Sequence, residues 1–68
     1  MSNNLREIRR EQGLSQAKLA FWSGVAARTI WYIEQGTTPR HPAQRRLCIA
    51  LGIPFSDRQR VFPAQEKQ

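Results

Sequence analysis

The sequence has 68 residues and a formal net charge of +6, from 11 Lys and Arg against 5 Asp and Glu, with 40% hydrophobic residues. A chain of this length buries only roughly 60% of the surface its unfolded form exposes, so one thin core is expected, without a second domain or a deep enclosed pocket. The hydrophobic fraction argues against wholesale disorder. Nine of the 11 cations are Arg, whose planar fork suits phosphates and guanine edges, so nucleic acid is the leading expected partner, ahead of an anionic membrane surface.

The polar start Met1-Ser2-Asn3-Asn4 leads into Arg6, Arg9 and Arg10 with no apolar stretch behind it, which is unlike a signal peptide. Helical periodicity then continues to about residue 62, and an all-α fold of five helices is expected. The first segment starts at Asn4 with Glu7 in capping-box register, carries Leu5 and Ile8 on its apolar stripe, and stops at Gly13. The second begins at the N-cap candidate Ser15, points Ala17, Leu19 and Ala20 inward, and closes at Gly24. The third covers about Ala26 to Gln35, with Ile30 and Ile33 one turn apart on its inner face and Gly36 as the stop. After the Thr37-Thr38-Pro39 loop, a fourth runs from about Arg40 to Leu51, with Pro42 in its first turn and Leu47, Cys48 and Leu51 buried. Pro54 breaks the chain. Ser56 and Gln59 then suggest a capping box for a fifth helix through Phe62, and Pro63 ends it. Residues 1–63 are read as one folded domain and 64–68 as a flexible polar tail.

The run Gly13-Leu14-Ser15-Gln16-Ala17-Lys18-Leu19-Ala20 through Ser23-Gly24-Val25, Thr29-Ile30, Ile33-Glu34 and Gly36, with Ala50-Leu51-Gly52-Ile53 later, closely resembles the Cro/lambda-repressor-like family of helix-turn-helix regulators, also called the XRE family. The resemblance covers residues 5 to about 53. It implies a five-helix fold whose third helix lies in the DNA major groove. Carried over position by position, Ala26, Ala27, Arg28 and Tyr32 are the expected base contacts. Arg28 is the strongest of them, because Arg bidentate to guanine is the commonest specific contact. Gln16, Trp31, Thr37, Thr38, Arg40 and His41 are the expected phosphate contacts, with Arg45 and Arg46 further out. The resemblance also implies an ion pair between Arg9 and Glu34, a clamp on the fold if buried.

Several positions depart from the family pattern. Ala26 stands where a Ser or Thr usually caps the third helix, the loop from Gly36 to Pro39 is one residue short, and Gln44 replaces an apolar residue. Phe21, Trp22 and Trp31 occupy normally polar positions. They either form a docking surface for a protein partner or, in the case of Trp22, fold back onto the loop or the fifth helix to thicken the core. Family members commonly act as two-fold dimers. Ile49, Phe55, Val61 and Phe62 are the candidate dimer contacts here, with packing inside the chain as the alternative.

Cys48 is the single cysteine, which excludes an intramolecular disulfide, and its simplest role is core packing. His41 is the single histidine and has no second ligand at metal-binding spacing, so no metal or other cofactor is expected. No residue pair offers acid–base or nucleophilic chemistry, and an enzyme is not expected. The reading is a cytoplasmic, bacterial or phage-encoded, sequence-specific regulator of double-stranded DNA, repressor-like and dimeric. A protein-binding module (an antitoxin or co-regulator) and a non-specific nucleic-acid binder are the alternatives.

Overall fold

Four α-helices, α1 (Leu5–Glu11), α2 (Gln16–Ser23), α3 (Ala27–Glu34) and α4 (His41–Leu51), precede a 3-10 helix over Phe55–Arg60. The computed structural model describes residues 3–63, so the expected tail, 64–68, lies outside the described residues. Among those described there is no strand, and no helix is long and apolar enough to cross a membrane. Helix α2 packs on both α3 and α4, α1 packs on α3, and the 3-10 helix closes against α4. The core between them holds Leu5, Leu19, Ile30, Ile33, Leu47, Cys48 and Val61, all essentially free of solvent, with Val25, Leu51, Ile53 and Phe62 around them. Ala20 is half-buried against this core, whereas Ala17, expected to point inward, is exposed on the outer face of α2. Burial pushes the Cys48 thiol up from its usual range, offset in part by the charge of Arg58.

The helix ends show where local sequence decides and where it does not. Ser15 caps α2 as expected, its Oγ accepting the Lys18 N–H at 3.0 Å. Gly24 then turns the chain with φ +74, a conformation that a side chain resists. The Asn4–Glu7 capping box does not form. Asn4 instead donates its amide to the Arg60 carbonyl (2.9 Å) and its N–H to that of Val61 (2.8 Å). Asn3 accepts the Leu5 N–H (3.1 Å) and donates to the Ile33 carbonyl (2.8 Å). The start of α1 is thus tied to the ends of α3 and the 3-10 helix, whose orphan carbonyls compete successfully for these amides.

The fifth element also differs from expectation. It begins after Pro54, has no side-chain cap, and is kinked at Asp57 (φ −100, ψ 18), so the Ser56–Gln59 box is absent. Six residues after a proline are too few to gain much from α-helical bonding, and short connectors of this kind adopt 3-10 geometry. The helix ends at Arg60, which frees Val61 and Phe62 to enter the core. These two candidate dimer contacts are therefore filled by the chain's own packing. Trp22 does not fold back: it is 56% exposed, and Phe21 is 83% exposed.

Gln44 occupies its unusual buried position by donating Nε2 to the Pro39 carbonyl at 2.9 Å, satisfying a group at the end of the short loop. Ala26 precedes α3 with extended dihedrals (φ −58, ψ 143) and no side-chain cap. Ala26→Ser is expected to stabilise the domain by about 1 kcal/mol. That gain would raise the thermal midpoint by about 4–8 °C in a domain of this size. Melting followed by circular dichroism checks it, and an unchanged midpoint would show that the Ala26 N–H neighbours are satisfied without a cap.

Candidate nucleic-acid interface

Helix α3 has two faces. Ile30, Ile33 and Glu34 are buried, while Ala27, Arg28, Trp31 and Tyr32 are exposed. Residues four apart share a helix face, so Ala27 aligns with Trp31 and Arg28 with Tyr32. The Trp31 and Tyr32 rings meet edge-on, with centroids 5.1 Å apart.

The inner end of α3 is fixed by charge. Glu34 Oε2 accepts Arg9 Nε, and its Oε1 accepts Arg9 Nη2 at 3.1 Å, Gln16 Nε2 at 3.0 Å and Arg6 Nε at 3.4 Å. The first of these contacts is 2.6 Å long. Arg9 uses its remaining reach to donate Nη1 to the Leu14 carbonyl at 2.8 Å. Burial alone would raise the Glu34 pKa. Hydrogen bonds from Arg9 and Gln16, together with the Arg9 charge, outweigh that penalty and hold the carboxyl below its ordinary value. Arg9 and Glu34 thus form a buried pair that joins α1 to α3, and Gln16 adds the first residue of α2. The Gln16 amide, expected on a phosphate, is engaged in this clamp.

Beside α3 runs a groove of about 810 Å³, bounded by Val25, Thr29, Tyr32, Thr37, Thr38 and Arg40 among others. Thr37, Thr38, Arg40 and His41 are exposed along the loop and the first turn of α4. Thr37 is held there by its N–H to the Tyr32 carbonyl at 3.1 Å. Arg46 reaches the same groove, with Nη1 3.8 Å from where a Cβ on Gly24 would stand. Among the described residues the ion pairs involve only Arg6 and Arg9, both with Glu34, so Arg28, Arg40, Arg45 and Arg46 face solvent without a carboxylate. Of the remaining candidate dimer positions, Ile49 is 70% exposed and Phe55 is half-buried.

Residues 1–61 match the family model described as a helix-turn-helix domain. The chain belongs to the helix-turn-helix family. It is also 36% identical over 55 residues to an uncharacterized HTH-type transcriptional regulator of Bacillus subtilis (strain 168), RghRB. That match takes in 78% of this chain and 40% of the relative, so the chain spans less than half the relative's length. The helix-turn-helix here is of the XRE-like kind, with α2 and α3 as its two helices and Gly24–Ala26 as its turn.

Some residues that hold this helix-turn-helix in place were given no such role in the sequence. Ser23 is buried beneath the turn, and its Oγ accepts the Val25 N–H at 3.1 Å. A serine two residues before a turn amide is a recognisable local pattern and gave a usable signal. Gln12, which donates to the Leu51 carbonyl at 2.8 Å, and Asn3 act across 30 or more positions and gave none.

Proposed function

We propose that this chain is a sequence-specific, repressor-like regulator that binds double-stranded DNA with α3 in the major groove. The observation that carries the reading is the exposed α3 face: Arg28 stands there without a carboxylate partner among the described residues, on a helix whose other face is locked by Ile30, Ile33 and Glu34. A guanidinium held on a fixed helix is suited to a guanine edge, because base discrimination depends on positional accuracy. Ala26, Ala27 and Tyr32 are the other base contacts in this reading. Trp31, Thr37, Thr38, Arg40 and His41 take phosphates, which set register and salt dependence. Gln16 reaches a phosphate only by sharing or leaving Glu34. The printed description of the Bacillus relative as a transcriptional regulator supports the regulatory role. The working form is a homodimer in a bacterial cytoplasm, with Ile49 as the exposed apolar contact left for a second copy.

Selection from a random duplex pool should enrich a short half-site. Arg28→Ala should then cost about 1–3 kcal/mol at one base pair of that site and relax the preference there. Equal weakening on all sequences would place Arg28 on a phosphate instead. A second reading is favoured by the exposure of Phe21, Trp22 and Trp31, which gives a protein partner an aromatic surface to dock on. A pool that yields no enriched sequence would move the function to that surface or to charge-driven binding.

A further inference from the structure

Three arginines and a histidine gather at or beside a single ring next to α4. Arg45 and Arg58 lie over Phe55, with Cζ 4.5 and 4.6 Å from the ring centroid, and His41 meets the same ring edge-on at 6.1 Å. Arg46 adjoins them, sharing a hollow of about 370 Å³ with His41, Pro42, Arg45 and Phe55. The two guanidiniums over the ring can be no farther apart than the sum of their distances to it, and like charges so placed repel each other. Attraction to the face of the Phe55 ring offsets part of this, but no carboxylate among the described residues pairs with any of them, Asp57 on the same 3-10 helix included. An arginine held over an aromatic ring still presents a fork of N–H donors, and the one such bond here is from Arg58 Nη1 to the Phe55 carbonyl at 3.3 Å.

The location of this cluster narrows the ligand. Pro42 and Arg46 line both its hollow and the groove beside α3, so the two concavities adjoin. His41 and Arg58 further bound a third hollow with Thr38. A continuous row of open hollows edged by Arg40, Arg46, Arg45 and Arg58 suits an extended polyanion better than a small enclosed ligand. We propose that the cluster around Phe55 is a second phosphate site, taking the DNA backbone beyond the base pairs read by α3. It rests on the DNA-binding reading above. It also disfavours a dimer joined through Phe55, which would bring two such cationic clusters face to face.

The test uses the whole chain on long duplexes carrying the selected site or a scrambled one, comparing wild type with an Arg45→Gln/Arg58→Gln double variant across salt. Each lost phosphate contact lowers the log–log salt slope by about 0.9. The expected slope change is therefore about 2, so between about 50 and 200 mM salt the wild type loses about tenfold more affinity than the variant. The weakening should be the same on both duplexes. A variant with the wild-type slope and affinity, or one that loses discrimination between the duplexes, overturns the site while leaving DNA binding intact. A wild type that binds neither duplex overturns the DNA reading itself and the site with it. Because Phe55 packing could suffer in the variant, phosphate ethylation interference on the unaltered protein gives an independent reading. Interference outside the sequence-sensitive base pairs supports the site, and interference confined to them overturns it.

Discussion

Glu34→Ala should lower the stability of this domain by about 3–5 kcal/mol, the cost of leaving a buried guanidinium without its partner. A 68-residue domain has only several kcal/mol to lose, at roughly 0.05–0.15 kcal/mol per residue. Most of the effect comes from Arg9, whose side chain is 9% exposed beside a fully buried carboxylate; Arg6, 42% exposed, is screened by water and contributes little. The variant should therefore be largely unfolded, or unfold at a much lower urea concentration. A midpoint within experimental error of wild type would mean that Arg9 reaches water once freed and that the pair does not clamp the fold.

The same group sets an acid limit. Its folded pKa lies below the unfolded value, which is about 4.3 for Glu. The stability it supplies is therefore complete above that value and is lost as pH falls through the lower, folded one. Glu34→Gln keeps the shape but not the charge, so its stability should vary less with pH across that acid window than the wild type's. Parallel urea titrations from neutral pH down through the carboxylate range would show the two curves converging at the acid end. Parallel curves would assign the acid dependence to other carboxyls.

The second large effect is expected at Leu19→Ala, about 2–5 kcal/mol from lost burial and the cavity left behind. Leu19 has no exposed surface and sits on α2, which packs against both α3 and α4. Removing it loosens the packing that sets the angle of α3, so under the proposed reading affinity for a selected DNA site should fall along with stability. Ile49→Ala, at a 70% exposed position, is the control and should change stability by no more than about 0.5 kcal/mol. Comparable losses from the two substitutions would show that Ile49 is covered in solution, which would itself place a second copy or partner on it.

The order and approximate span of the helices were legible because their signals are local. Ser15, Gly24 and Pro42 act on backbone groups within a turn of themselves, and Ile30 with Ile33 marks a buried face by spacing alone. Where the reading failed, a distant group had won a local contest. Asn4 gave up its capping box to Arg60 and Val61, 56 and 57 positions away. Val61 and Phe62 look like surface residues of a terminal helix only until that helix ends at Arg60 and releases them inward. On the candidate interface, the exposure of Arg28, Trp31 and Tyr32 follows from the period of α3. The engagement of Gln16 by Glu34 does not, since the two lie 18 positions apart.

By itself, then, the sequence determined that this is an all-helical, cationic helix-turn-helix chain, because periodicity, caps and motif spacing are properties of near neighbours. Only the tertiary structure decided how the charges are shared. Glu34 draws Arg6, Arg9 and Gln16 into the fold, while Arg45 and Arg58 are left over Phe55 with no carboxylate among the described residues. Which arginine finds an acid depends on distances across helices, and Coulomb attraction at hydrogen-bonding range is far stronger in a buried site than between solvated charges.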